Sequence, residues 1–479
     1  MSVTEEPPKL YAAREPVFPK DVSGRFRNLK WIIMLVTLGI YYVTPWLRWD
    51  RGANLPDQAV LLDLANRRFF FFWIEIWPHE FYFVAGLLIM AGLGLFLFTS
   101  ALGRVWCGYA CPQTVWTDLF YKVERWIEGD RNARLRLWKS DWTFKKLRLR
   151  VMKYAAWLAI AVATGGAWVF YFADAPTLLV QLVTGQAAFV AYATIGVLTA
   201  TTFVFGGFMR EQICIYACPW PRIQAAMMDE DTITVAYREW RGEPRGKGKN
   251  RHEDDGSEAL GDCIDCNACV NVCPVGIDIR DGQQLECITC ALCIDACDDI
   301  MDKVGKPRGL IDYMALTDEA NERAGNAKKP IAKHIFRPRT ILYTALWSLI
   351  GIGLVVALFI RSDIDVTVAP VRNPQFVMLS DGSIRNTYDL RIRNMTHDTS
   401  AFRVTVADDA PFVVELEGVE GLSVDVPADT SQLQRVYVTA PAGTDPADTE
   451  RTEFRFWVED MTSSTRTFQD TTFFGRDQQ

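Results

Sequence analysis

Eight cysteines between residues 263 and 297 carry the strongest chemical signal in the chain. They run Cys263-x2-Cys266-x2-Cys269-x3-Cys273-Pro and then Cys287-x2-Cys290-x2-Cys293-x3-Cys297. Such a run offers three thiolates from one tight loop, enough for three irons of a cubane, and its fourth cysteine is carried away to complete the other cluster. Cys263, Cys266, Cys269 and Cys297 therefore fall to one [4Fe-4S] cluster, and Cys287, Cys290, Cys293 and Cys273 to a second. Structural zinc also takes four thiolates, but from two separated Cys-x2-Cys knuckles rather than a duplicated three-plus-one run. Asp298 stands where the second run would carry proline, so its carboxylate can alter the potential of that cluster.

The other four of the twelve cysteines form two copies of Cys-x3-Cys-Pro, at Cys107/Cys111/Pro112 and Cys214/Cys218/Pro219. The proline disfavours helical geometry at the cysteine before it, so each copy marks a helix ending. Soft thiolates suit Cu(I) or iron–sulfur ligation, and four converging would build a third metal site, for copper or for a third cluster. Buried packing cysteines and a redox-active disulfide are the competing readings, and free cysteine is often buried. Packing explains one cysteine more easily than a repeated pair with its proline.

Five apolar blocks must position these motifs, at 31–47, 81–102, 154–173, 187–209 and 340–360, each near the length of about 20 residues that crosses a bilayer core. Residues 1–30 carry six Lys/Arg and 104–153 carry twelve, whereas loop 174–186 carries none. The excess of basic residues on inner loops sets a cytoplasmic N-terminal segment (1–30), four spans with both Cys-x3-Cys-Pro motifs at the inner face (31–209) and a cytoplasmic segment (210–339). A fifth span (340–360) and a periplasmic C-terminal domain (361–479) follow. Loop 48–80, with four Arg against five acids, is a weak exception, and its Phe69–Trp77 stretch reads as an interfacial aromatic element. No cleavage-site pattern of a signal peptide precedes the first block. A net charge of −7 argues against a nucleic-acid partner.

Spans two and four each run straight into a motif (FLFTSALGRVWCGYACPQ and VFGGFMREQICIYACPWP), with Tyr109-Ala110 and Tyr216-Ala217 shared. Two helical hairpins would place both motifs side by side. Residues 242–256 read as a linker and Asp312–Ala327 as a helix. Beyond 361, short alternating runs at Gln375–Leu379, Tyr388–Arg393, Phe402–Val406, Phe412–Glu417, Gln434–Thr439 and Thr452–Val458 predict an all-β sandwich of immunoglobulin size without cysteine. The four histidines, His79, His252, His334 and His397, all lie outside the spans, which excludes a transmembrane haem held by paired histidines. No Gly-x-Gly-x-x-Gly opens a β-α unit, so no nicotinamide or flavin site is indicated. Met227 and Met228 could offer soft sulfur, although gap filling is the commoner use of methionine.

The eight-cysteine block, at about 258–312, resembles bacterial-type ferredoxins with two [4Fe-4S] clusters, an α+β domain. Taken with WCGYACPQTVWTD (106–118), CIYACPWPRIQAAMMD (214–229), RGEPRG (241–246), CIDCNACVNVCPVGIDIRDG (263–282) and ECITCALCIDACDDIMDKVGKPRGLI (286–311), the chain resembles the RdxA/FixG/CcoG family of cytochrome oxidase accessory proteins. Asp298 agrees with that family while departing from plain ferredoxins. The resemblance implies a multi-pass protein of the bacterial inner membrane that reduces Cu(II) to Cu(I), copper being substrate. Electrons would come from a cytoplasmic donor, and the partners would be a copper-transporting P-type ATPase and assembly factors of the cbb-type oxidase. A homodimer is compatible with it. An electron conduit to quinone or a periplasmic acceptor, and a non-enzymatic redox sensor or assembly scaffold, are the alternatives.

Overall fold

The computed structural model describes residues 16–52, 55–246, 260–327, 329–362, 364–396, 398–407 and 411–476. The chain divides into two compact units, one of residues up to 48 with 58–354, the other of 49–57 with 355 onward.

Among the described residues, four helices are long and apolar enough to cross a bilayer: Arg25–Trp46, Pro78–Leu102, Phe189–Met209 and Pro338–Ile360. They leave side chains such as Leu88, Phe189 and Phe359 exposed, as lipid-facing helices do. The block expected at 154–173 lies within the 26-residue helix Phe144–Val169. Its basic first turns dilute its hydropathy. Gly165 lets it approach the helix Phe189–Thr202 closely, since a Cβ there would stand 2.9 Å from the Ile195 carbonyl oxygen.

Two local expectations are corrected. Segment 174–186 is no simple loop but carries the helix Ala175–Thr184, capped by the Asp174 carboxylate and ended by Gly185 in the left-handed region (φ 76°). Phe69–Trp77, expected as an aromatic element and not a span, joins a three-stranded antiparallel meander, Val60–Asp63, Arg68–Phe71 and Ile74–Ile76. Asp312–Ala327 is only partly helical, because Ile311–Met314 pairs with Thr234–Tyr237 before the helix Leu316–Arg323 begins.

The first membrane-length helix carries two buried cations, Arg27 and Lys30. Asp118 answers both, with Oδ1 2.9 Å from Arg27 Nη1 and Oδ2 4.0 Å from Lys30 Nζ. Burial pushes this carboxyl up, but Lys30, Arg27 and Arg125 outweigh it and hold Asp118 below the usual carboxylate range. A depressed carboxylate adds stability above its unfolded value of about 3.9, and that stability is lost as pH falls through the folded value. Asp118→Asn is expected to cost about 3–5 kcal/mol, because it leaves two buried cations unanswered. It should also flatten the acid limb of stability, read as thermal unfolding of the full chain in detergent between pH 3 and 7.

The second unit holds the sandwich. One sheet runs Val413–Leu416, Ser431–Ala440, Ile384–Asn394, Ile364–Pro370, with Val377–Met378 beside Ile384–Asn394; the other runs Ser423–Val426, Ser400–Val406, Arg451–Asp460, Arg466–Phe474. All six expected runs fall on strands. Ile364–Pro370, Ser423–Val426 and Arg466–Phe474 are additional. The last buries Phe473 alone, so its apolar alternation is weak. Tyr388, Leu390, Phe402, Val404 and Phe456 fill the core between the sheets, where packing replaces the absent disulfide.

Candidate metal centre

The two ferredoxin-type loops have the same backbone. The residues flanking the middle cysteine are left-handed in both, Asp265 (φ 50°) and Asn267 (φ 54°) around Cys266, and Thr289 (φ 55°) and Ala291 (φ 59°) around Cys290. Non-glycine residues hold this conformation at a cost of order 1–3 kcal/mol each, and it persists only where the surroundings over-determine it. Each loop then enters a helix, Ala268–Val272 or Leu292–Lys303, that carries the third cysteine in its first turn. Pro274 ends the first helix at Cys273. With Asp298 in place of proline, the second continues through Cys297 to Lys303. Asp298 accepts a hydrogen bond from the Gly309 amide at 2.9 Å, so it fastens the returning chain.

The thiols of the two runs lie within electrostatic reach of one another. Burial pushes Cys297 up to about 12, reinforced by Cys269, Cys266 and Cys263. Cys293 is raised by burial and then by Cys290, Cys287 and Cys273, with Cys269 of the other set last. Amides of Val275, Ile277 and Gly276 point at Cys273 Sγ, and the Thr289 amide lies 3.5 Å from Cys287 Sγ. Thiols arranged by fours with backbone donors aimed at sulfur fit cluster ligation.

The paired Cys-x3-Cys-Pro motifs are also brought together. Cys214 is pushed up to about 12 by burial and by Cys111, Cys107 and Cys218, which places all four thiols within electrostatic reach of one another. The backbones repeat: Gly103 (φ 61°) and Arg210 (φ 39°) are left-handed four residues before the first cysteine, and Cys111 and Cys218 are both extended. In both copies the second cysteine's amide bonds five residues back, to the Trp106 and Ile213 carbonyls. Rather than only ending a helix, each proline also opens the next, Pro112–Glu128 and Trp220–Met227. Gln113 ties the copies together by donating to the carbonyls of Phe205 (2.9 Å) and Arg210 (3.2 Å).

The two copies differ in their surroundings. The first docks on the second ferredoxin-type loop. Tyr109 is buried and its hydroxyl donates to the Cys290 carbonyl at 3.1 Å. Gly108 lies so close that a Cβ would stand 2.6 Å from the Ile288 carbonyl oxygen. Arg104 donates to the Leu285 carbonyl and to Gln224, which also accepts from Cys107 Sγ at 3.1 Å. Tyr216, the counterpart of Tyr109, is 70% exposed. The second copy is π-helical, over Phe203–Met209 and Ile213–Ala217, a geometry frequent at functional sites.

Asp295 was missed by sequence reasoning. Its carboxylate accepts from the amides of Phe26 (3.2 Å) and Arg27 (2.7 Å), capping the helix that begins at Arg25. Gly24 makes room for it, because a Cβ there would fall 2.3 Å from the Asp295 carboxyl carbon. Removing a capping carboxylate costs about 1–2 kcal/mol. The weaker candidates are structural: His79 sits in the turn Pro78–Glu80, His334 is buried between Asp231 and Asp318, and Met227 is core. Met228 Sδ packs near Gly103. His252 and His397 lie outside the described residues.

Bilayer-length helices joined to two ferredoxin-type loops define a membrane iron–sulfur electron-transfer protein of the oxidoreductase kind. Family models agree: a 4Fe-4S dicluster domain matches residues 209–316, a 4Fe-4S binding domain matches 83–133, and the IG-like fold at the C-terminal of FixG matches 354–476. The chain is 68% identical to Protein RdxB of Cereibacter sphaeroides over 98% of both chains. It is 65% identical to Protein RdxA of the same organism, over 94% of this chain and 95% of that one. It is 55% identical to Nitrogen fixation protein FixG of Rhizobium meliloti, over 91% and 88%. The chain belongs to the RdxA/FixG family.

Proposed function

We propose that the protein reduces Cu(II) to Cu(I) at Cys107, Cys111, Cys214 and Cys218, in support of cbb-type cytochrome c oxidase assembly. The observation that carries this reading is the convergence of those four thiols beside the second ferredoxin-type loop. Cys263, Cys266, Cys269 and Cys297 hold one [4Fe-4S] cluster and Cys273, Cys287, Cys290 and Cys293 the other; once bound, these supply single electrons at potentials that reach below about −400 mV. A cytoplasmic one-electron donor provides each electron, and Cu(II) plus one electron gives Cu(I) with no bond made to carbon or oxygen. Thiolates favour the Cu(I) product over the Cu(II) substrate. Arg104 favours the thiolate of Cys107 against the burial that raises it. Gln113 and the Gly108–Ile288 contact hold the two copies and the loop in place.

In this reading the helix Phe144–Val169 is a fifth span. Five spans put the N-terminus, both thiol motifs and the ferredoxin-type domain at the cytoplasmic face of the bacterial inner membrane, with the sandwich in the periplasm. A copper-transporting P-type ATPase would take the Cu(I). Anaerobic Cu(I) formation by the reduced protein, with serine at the four positions singly and together, tests this. Loss of both copper binding and reduction is expected; unchanged rate and binding in the quadruple variant would sink the proposal.

A second reading places a third iron–sulfur cluster on these four thiols. It is favoured by the 4Fe-4S binding model that spans Cys107 and Cys111. Iron analysis of anaerobically purified protein separates the readings, with about eight iron atoms per chain for two cubanes and about twelve for three.

A further inference from the structure

A cavity of about 350 Å³ lies between the helices Pro112–Glu128, Arg131–Lys139, Phe144–Val169 and the π-helical turn Phe203–Met209. Four buried cations surround it: Arg134, Arg150, Lys153 and Arg210. Among the described residues, the buried carboxylates around it are three. Glu124 accepts from both Arg134 and Arg210. Glu128 stands 3.0 Å from Arg150 and 3.1 Å from Lys153. Glu211 completes the lining. Among the described residues, four positive charges stand against three negative, a surplus of one in a place where an uncompensated charge is costly.

Two buried side chains carry three donor atoms with no hydrogen bond among the described residues, although Arg134 Nε stands 3.9 Å from Glu128 Oε2. The Arg134 side chain is 1% exposed, and its Nε and Nη1 make no hydrogen bond. Trp157 Nε1, on the same wall, makes none either. Unpaired donors beside surplus positive charge call for an anionic acceptor. The position supplies the source: the helix Phe144–Val169 passes here from KKLRLRVMK to AAWLAIAVA, and Trp138, Trp142 and Phe144 are exposed at its start. A switch from basic to apolar residues flanked by exposed aromatics marks the headgroup level of a bilayer, and basic pockets between helices at that level bind anionic lipid headgroups.

We infer that this cavity binds a phosphate-class anion, the phosphodiester of an anionic lipid headgroup or free phosphate, through Arg134 and Trp157. Arg210 links the site to the neighbouring thiol motif, four residues before Cys214. The test uses the full chain, purified in detergent, delipidated and then offered phosphatidylglycerol, phosphatidylcholine or inorganic phosphate, with bound lipid counted by native mass spectrometry and the unfolding midpoint followed. Wild-type protein should retain one phosphatidylglycerol and gain stability from it, but not from phosphatidylcholine. Trp157→Phe, which keeps the ring packing and removes one donor, should weaken that binding roughly fivefold, and Arg134→Lys at least as much, with iron content and helicity unchanged. Stabilisation by inorganic phosphate without lipid retention identifies free phosphate as the source. If neither anion stabilises the wild type, or Trp157→Phe binds both as tightly as wild type, the inference is overturned.

Discussion

Serine at both Cys273 and Cys287 is expected to leave about four iron atoms per chain, whereas serine at both Cys273 and Cys263 is expected to leave almost none. The reason is the proposed cross-ligation. Cys273 follows the first loop in sequence, yet its thiol is raised after burial by Cys290 of the second loop. Cys297 answers to Cys269, Cys266 and Cys263. The first pair of substitutions therefore damages one four-thiol set, and the second pair damages both. Iron analysis with EPR of the reduced protein reads the difference. If the double variant at Cys273 and Cys263 kept one intact cluster while that at Cys273 and Cys287 lost both, each loop would hold its own cluster and the assignment would fail. Because the strained left-handed residues around Cys266 and Cys290 depend on their surroundings, loss of a cluster should also lower thermal stability measurably.

Gly108→Val is expected to slow copper reduction by about a hundredfold while both ferredoxin-type clusters stay loaded. A Cβ at Gly108 would meet the Ile288 carbonyl oxygen at 2.6 Å and the Cys290 Cα at 3.0 Å. Both are backbone atoms of a loop held from three sides, by Tyr109 at Cys290, by Tyr313 at Thr289 and by Arg104 at Leu285. That loop cannot turn aside as a side-chain tip would, so the membrane motif must move away from it. Misplacement of reacting groups by about 1 Å can cost 10²-fold in rate. Gly166→Ala is the control, since nothing lies within 4 Å of its Cβ. Stopped-flow reoxidation of the reduced protein by Cu(II), at unchanged iron content, measures the effect. A rate equal to that of the control would mean that the contact between motif and loop is not part of the path.

The two ferredoxin-type loops were legible because their cysteine spacing is local. Three cysteines within seven residues can reach one cubane only as a tight loop, and a fourth beyond a short helix must turn elsewhere. Helix lengths were legible in the same way, through sustained apolar runs, and strand positions through alternation with turn residues between. Segments whose state depends on a distant partner were misread. Asp312–Met314 falls in a stretch with a helical pattern but belongs to a strand that pairs with Thr234–Tyr237 across more than seventy residues.

By itself, then, the sequence determined the inventory: eight cysteines in two ferredoxin-type runs, apolar helices of bilayer length, a cysteine-free β-sandwich and a repeated Cys-x3-Cys-Pro. Tertiary structure alone decided how the inventory is used. It brought Cys107 and Cys111 to Cys214 and Cys218, buried Tyr109 against Cys290 while leaving Tyr216 exposed, and set the Asp295 carboxylate on the amides of Phe26 and Arg27. Spacing and periodicity are written in neighbouring residues, because they arise from the geometry of a single helix, strand or loop. Contacts between residues a hundred or more positions apart arise from packing, and a lone glycine such as Gly108 or Gly24 shows its purpose only once the backbone that crowds it is in place.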